Sequence, residues 1–133
     1  MRQRLIGLLL LACIALPGAS LSSAALAEGK KAKQPYLQLE TLAATVNKGG
    51  GRHGVMTVEV GIDARDAATR DRLDIYIPLL RSAYVSALQP YALGLPPGAP
   101  PNADYISMTL QRETDRVLGR KGARLLLGSV LVN

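Results

Sequence analysis

His53 is the only histidine of the chain, and few side chains could share metal or acid–base chemistry with it. The single cysteine, Cys13, stands in the N-terminal apolar segment. A zinc site would therefore need carboxylates for every other ligand, and no spacing of carboxylates indicates one. We expect His53 to be a surface loop residue, and we expect neither a metal nor a cofactor.

Serines and a glycine-rich stretch are the next candidates for chemistry. Ser82, Ser86 and Ser107 lack the glycine-flanked turn from strand to helix that presents a nucleophilic serine. Residues 49–51 are three glycines, but no Lys-Ser or Lys-Thr pair follows them, and a predicted strand rather than a helix comes next. These patterns argue against an enzyme and against nucleotide binding.

Arginines on the last predicted helix are the strongest candidates for contact with a partner. Arg112 and Arg116 stand four residues apart, which places them on one helical face, and Arg120 follows. These three arginines are candidates for contact with a partner protein or an acidic polymer, and a solvated helix face is the alternative. The formal net charge is +6, but Trp and Phe are absent, so we expect no nucleic-acid binding through stacked rings.

The elements that would position these residues begin with strands. Alternation of apolar and polar residues starts at Tyr36 and changes phase near Thr41, which indicates a bulge. A glycine-rich hairpin loop is expected over residues 47–54, and residues 55–62 form the clearest predicted strand. The final strand, Ala123–Val132, is apolar on both faces, so we expect it in the centre of the sheet.

A helical stretch is predicted over residues 67–88, where apolar residues recur at spacings of three and four. Asp63 or Asp66 can cap its N-terminus. Pro78 lies inside the stretch and predicts a kink or two abutting helices, the second beginning near Ile77. The face of this helix that carries the apolar residues should lie on the sheet.

A second helix is predicted over residues 105–118, after a proline-rich connection over residues 93–101. Asn102 or Asp104 can cap it, and Gly119 can end it. The order β-β-α-α-β, with both helices on one face of a small antiparallel sheet, defines an α+β domain. The predicted core consists of Met56, Val58, Val60, Leu73, Ile77, Leu80, Tyr84, Leu110 and Leu127.

Residues 1–27 have the pattern of an export signal. Arg2 and Arg4 supply positive charge, residues 5–16 are apolar, and small residues stand at positions 25 and 27. We expect cleavage after Ala27 and a basic, disordered lead-in over residues 28–35. This predicts a periplasmic protein whose contact with the membrane is at most peripheral.

Two alternatives stay open for this N-terminal segment. Residues 10–13 resemble a lipid-attachment motif with Cys13 as the acylated residue, although the segment stays apolar beyond Cys13. Retention as an inner-membrane anchor is the other, but the apolar run is shorter than the roughly 20 residues that cross a bilayer. Cleavage would leave no cysteine, so the folded domain must be stabilised by its core alone.

Four stretches, taken in order, resemble the periplasmic domain of the flagellar basal-body-associated FliL family. They are residues 35–39 leading to 45–47, residues 58–60 with Asp63, residues 78–83, and residues 125–133. The resemblance covers nearly all of residues 34–133. Its most specific element is the Pro-x-x-Arg start of a helix, which corresponds here to Pro78 and Arg81.

This resemblance implies a non-enzymatic domain, similar in fold to the stomatin and prohibitin group, that self-associates and contacts the stator units of the flagellar motor. FliL proteins normally keep an N-terminal transmembrane helix, whereas the segment here is predicted to be cleaved. The alternative is a periplasmic adaptor or binding protein with the same fold and no flagellar role. Such a protein would contact cell-wall polymer through its basic surfaces.

Overall fold

The computed structural model describes residues 36–133, so the predicted export signal and lead-in lie outside the described residues. The elements are β1 (Tyr36–Gln38), β2 (Leu42–Gly49), β3 (Arg52–Ala64), α1 (Ala67–Gly94), α2 (Ala103–Leu118) and β4 (Ala123–Val132). The α+β class and the predicted order β-β-α-α-β are confirmed, with β1 and β2 together taking the place of the first predicted strand.

The sheet is antiparallel and is organised around β3. β1 and β2 pair one after the other with one edge of β3, and β4 pairs with its other edge. The break between β1 and β2 falls where the predicted phase change lies. Leu39 is buried on the near side of this break, and Leu42 and Ala44 are buried beyond it, so the buried positions switch from odd to even numbers.

The predicted central position of β4 is wrong, because β4 pairs only with β3 among the described strands. β3 is 13 residues long and already carries partners on both edges. Because the helices pack on only one face of the sheet, the two apolar faces of β4 have different surroundings. Leu125 is buried on the face toward the helices, whereas Leu126 and Leu131 are exposed on the opposite face.

The hairpin between β2 and β3 is tighter than the predicted loop over residues 47–54. Only Gly50 and Gly51 form the turn, and both have positive φ (60° and 75°), as the type I′ turn of a two-residue hairpin requires. The flanking residues are therefore free to pair as strands. His53 consequently lies in β3 opposite Asn47, exposed on a strand rather than in a loop.

α1 is one continuous helix that passes through Pro78 and Pro90, so the predicted second helix start near Ile77 is wrong. An interior proline costs about 3 kcal/mol. Burying one large apolar side chain contributes about 1.5–3 kcal/mol. Leu73 and Leu80 are buried on either side of Pro78, and together they offset its cost.

The helix ends follow the predicted caps. The Asp66 carboxylate accepts a hydrogen bond from the Thr69 N–H at 2.8 Å, and the Asn102 side chain accepts one from the Tyr105 N–H at 3.0 Å. Gly119 ends α2 in the left-handed conformation, with φ 66°. Within residues 36–133, no helix combines the length and the apolar character needed to cross a membrane.

The core lies between the helices and one face of the sheet. Seven of the predicted core residues are buried: Met56, Val58, Val60, Leu73, Leu80, Tyr84 and Leu110. Leu127 is half-buried and packs against this core. Ile77 is only half-buried and lies outside it, because it faces a groove at the break between β1 and β2 rather than a paired strand.

A buried pair of hydroxyl groups joins the two helices inside this core. The hydroxyl oxygens of Tyr84 and Thr114 lie 2.6 Å apart, and the Thr114 hydroxyl donates to the Leu110 carbonyl at 2.8 Å. A threonine hydroxyl has one hydrogen, so Tyr84 is the donor to Thr114. Burial raises the pKa of Tyr84 to about 12, because the charged phenolate is poorly solvated there.

Candidate protein-contact surface

The outer edge of β4 presents unpaired backbone groups. Val55 and Asn133 exchange two backbone hydrogen bonds of 3.0 Å across β3 and β4. In an antiparallel ladder the bonded positions alternate, so Leu131 bonds to β3 while the N–H and C=O groups of Val130 and Val132 point away from it. No strand among residues 36–133 pairs with this edge.

The first half of the same strand is closed by α2. Gln111 accepts a hydrogen bond from the Leu125 N–H at 2.7 Å, and its side-chain amide donates to the Ala123 carbonyl at 3.0 Å. One glutamine side chain thus satisfies one outward backbone group on each of two β4 residues. The open part, residues 127–132, is called the β4 edge below.

The side chains around the β4 edge are apolar and exposed. Leu131 is 56% exposed, Val132 is 39% exposed, and Val55 on the adjacent strand is 45% exposed. Residues 125–132 include no charged residue and no proline. Natural edge strands usually carry lysine, proline or a covering element, because an unpaired apolar edge pairs readily with another strand. The β4 edge therefore suits the addition of a strand from a partner.

A bulge interrupts β4 within the β4 edge, between Leu127 and Val130. The register between β3 and β4 shifts between Val58 and Val60, beside Gly128. A Cβ atom on Gly128 would lie 3.1 Å from the Glu59 Cβ and 3.2 Å from the Glu59 carbonyl oxygen. Glycine thus allows close approach of the two backbones at the bulge.

The predicted arginine stripe is largely paired within the chain. Arg116 forms an ion pair with Glu113, to which its Nε donates at 2.8 Å. Arg120 lies 3.5 Å from the carboxylate of Asp66. Arg112 is exposed and forms no ion pair with any residue of the described range. The structure therefore does not bring the three arginines together as a free basic surface.

Besides its contact with Arg120, Asp66 caps the N-terminus of α1. The Thr69 hydroxyl and backbone N–H both donate to its carboxylate, at 2.9 and 2.8 Å. These hydrogen bonds, and to a smaller degree the charge of Arg120, lower the pKa of Asp66 below its ordinary value. Arg120 is thus tied to the start of α1, which limits its reach toward a partner.

The most specific element of the resemblance to the FliL family, the Pro-x-x-Arg pattern of Pro78 and Arg81, lies in the middle of α1 and not at a helix start. The Arg81 guanidinium forms an ion pair with Glu40 in the break between β1 and β2. Both side chains are exposed, so this pair contributes little to stability. A groove of about 390 Å³ lies beside it, lined by Leu39, Ile77 and Pro78 among others.

The other sequence candidates lie apart from these surfaces. Ser82 and Ser86 are exposed on α1, and Ser107 is half-buried on α2. Among residues 36–133, no group of three His, Cys, Asp or Glu side chains is arranged to hold a metal ion. His53 is exposed on β3 beside the hairpin turn.

The β4 edge is the surface that sequence analysis puts in the wrong place. Apolar residues on both faces suggest a central strand, but they are equally compatible with an edge that another chain covers. One signal could have identified this edge. A sheet of three long strands has one middle strand and two edge strands, and residues 55–62 are the best candidate for the middle strand, which leaves the final strand at an edge.

Comparisons with known proteins assign no family to this chain. No protein-family model matches it, and no curated protein matches it. The likeness to the FliL family therefore depends on the order and spacing of the four stretches described above.

Proposed function

We propose that this chain is a non-enzymatic, periplasmic FliL-like protein that associates with the flagellar basal body through the stator units. The observation that supports a binding role is the β4 edge, where apolar side chains surround the unpaired backbone groups of Val130 and Val132. The flagellar assignment itself comes from the sequence resemblance.

The β4 edge binds its partner by antiparallel strand addition. Backbone hydrogen bonds from Val130 and Val132 supply the attachment, and Leu131 and Val55 supply apolar contact area on the open face of the sheet. A second copy of this chain offers the same edge, so self-association uses the same surface. Self-association and partner binding therefore compete.

The decisive variant is Val130→Pro. The Val130 N–H points away from β3, and proline is accepted in an edge strand where the missing N–H would face outward. The variant removes one donor for the partner strand and leaves the pairing with β3 intact. The matched control is Val130→Ala, which also shortens the side chain but keeps the N–H.

The experiment combines swimming assays with in-cell crosslinking in a strain that lacks the chromosomal gene. We expect the parent chain and Val130→Ala to restore swimming and to crosslink to stator or basal-body components, and Val130→Pro to do neither. All three proteins should keep a cooperative thermal transition. Normal swimming of the deletion strain, or recovery of unrelated envelope proteins only, contradicts the flagellar role.

Mass spectrometry of the same purified protein tests its location. An N-terminus at Glu28 supports cleavage of an export signal and a periplasmic protein without an anchor. An acyl group on Cys13 supports a lipoprotein, and an uncleaved N-terminus supports retention in the inner membrane.

The second candidate is a periplasmic adaptor that contacts cell-wall polymer through its basic surface. Arg112 favours it, because this exposed arginine has no ion-pair partner among residues 36–133. Sedimentation with peptidoglycan that weakens as salt is added would support this function. An unchanged sedimentation of Arg112→Gln would contradict it.

A further inference from the structure

A groove opens at the hairpin end of the sheet, opposite the end at which β4 begins. It lies between the tip of the β2–β3 hairpin and the proline-rich loop over residues 95–101, and its volume is about 490 Å³. This volume is typical of small-molecule sites, which occupy roughly 300–1,000 Å³. We call it the tip groove; its lining includes Val46, Lys48, Arg52, Leu95, Pro96 and Val132.

The floor of the tip groove is apolar. Val46 is buried beneath it, and Val132, Leu95 and three prolines (Pro96, Pro100 and Pro101) complete its apolar lining. An apolar floor of this kind favours an aliphatic or aromatic group, because transfer of such a group out of water is favourable.

The charge of the tip groove is of one sign. Lys48 and Arg52 line it, and no aspartate or glutamate does. Neither cation pairs with a carboxylate of residues 36–133. The Asn133 backbone oxygen and the stem of Lys48 both lie across Gly54, where an added Cβ would clash with the oxygen and come within 3.0 Å of the lysine Cδ. Gly54 thus leaves room for the lysine to extend along the groove, and an anion is the complementary ligand.

The loop that forms one wall of the groove is held in place before any ligand binds. The Ala99 N–H donates to the Pro96 carbonyl at 3.0 Å, and the Asn102 N–H donates to the Tyr91 hydroxyl at 2.6 Å. The Tyr91 ring also stacks on Tyr105, with ring centroids 4.9 Å apart. A wall with fixed prolines loses little conformational entropy on binding.

The opposite side of the groove contacts this wall directly. Gly49 has φ 83°, and a Cβ atom there would meet Pro97 at 3.6 Å. The hairpin and the proline-rich loop are therefore close neighbours, so the shape of the groove is set by the fold.

From the single sign of charge and the apolar floor we propose that the tip groove binds a small amphipathic anion. The carboxylate of the ligand lies between Lys48 and Arg52, and its apolar chain lies along Val46 and Val132. The ligand class is a free medium-chain carboxylic acid. This inference does not rest on the flagellar role or on strand addition at the β4 edge; Val132 is the residue that the two surfaces share.

The test uses nitrogen-15 NMR of the protein in the form in which cells produce it. The probes are octanoate, 1-octanol and octyltrimethylammonium. We expect octanoate to shift the amide signals of Lys48, Gly98 and Ala99 in a saturable manner. The uncharged alcohol should bind about fivefold more weakly, as the loss of one partly exposed ion pair predicts, and the cation should bind more weakly still.

Two variants locate the charge recognition. Lys48→Gln and Arg52→Gln should each weaken octanoate binding about three- to fivefold and leave octanol binding unchanged. Lys121→Gln is the matched control, because Lys121 is exposed beyond the far end of β4. Val130→Pro should bind octanoate as the parent does, which separates this proposal from the role of the β4 edge.

Three outcomes would overturn the proposal. The first is equal affinity of the parent for octanoate and octanol. The second is saturable shifts confined to residues outside the tip groove, or no saturable shift. The third is binding to vesicles of anionic phospholipid without any response to octanoate, which would assign the two cations to a membrane surface instead.

Discussion

At the scale of single residues, the polar groups that enter the interior decide how the helices meet. Tyr84 is fully buried on α1, and Thr114 on α2 is its hydrogen-bond acceptor. Thr114 in turn donates to the Leu110 carbonyl, so both hydroxyl hydrogens are used. A buried polar group without a partner is costly, and this pair therefore favours one relative position of the two helices.

The variant Thr114→Val tests this pair. Valine has nearly the same shape but leaves the Tyr84 hydroxyl without an acceptor, which should lower the free energy of unfolding by about 1–3 kcal/mol. The measurement is urea unfolding at neutral pH. Thr109→Val, on the same helix but half-buried, is the control and should change little. Equal loss in both variants would contradict a specific contribution of the Tyr84–Thr114 pair to stability.

At the scale of the elements, α1 shows how burial outweighs local preference. Two prolines lie inside the helix, yet it continues from Ala67 to Gly94. The buried residues on its inner face hold both halves against the sheet and α2: they are Thr69, Leu73, Leu80, Tyr84, Leu88 and Ala92. Ile77 shares the helical spacing of this set but faces the groove at the break between β1 and β2.

A pair of alanine variants on α1 measures this difference in burial. Leu80→Ala should lower the free energy of unfolding by about 2–5 kcal/mol, because it removes a fully buried side chain. Ile77→Ala should cost clearly less, since part of that side chain is already in contact with water. The comparison requires only denaturant unfolding of the two variants and the parent. A larger loss for Ile77→Ala would place Ile77 in the core.

At the scale of the whole molecule, the helices cover one face of the sheet, and no element of residues 36–133 covers the other. The open face and the β4 edge meet at Leu131, where exposed apolar side chains lie next to unpaired backbone groups. Two copies that join their β4 edges about a two-fold axis would form one continuous antiparallel sheet. This arrangement satisfies the outward groups of Val130 in both copies at once.

Self-association should therefore depend on the β4 edge. We expect sedimentation equilibrium to give a mass that rises with concentration toward a dimer for the parent and for Val130→Ala. Val130→Pro should stay monomeric over the same range, because the proline removes the outward N–H. Dimers of Val130→Pro as stable as those of the parent would place the contact between copies elsewhere.

Local sequence determined most of the elements and their ends. The caps Asp66 and Asn102 were among the predicted alternatives, and β4 spans the predicted Ala123–Val132. These features depend on residues close together in the chain: a short side chain that accepts from the first turn, and an apolar run that follows a glycine. The spacing of apolar residues along the chain likewise predicted the core, and seven of the nine predicted core residues are buried.

Tertiary structure alone decided the rest, because each remaining feature depends on residues far apart in sequence. Pairing of β4 with β3 alone turned a strand with two apolar faces into an edge. Packing on both sides of Pro78 kept α1 continuous. The contact with Asp66 engaged Arg120, one of the three predicted arginines, and the approach of the hairpin to the proline-rich loop created the tip groove. Spacing along the chain specifies which face a residue occupies, but not what lies opposite that face.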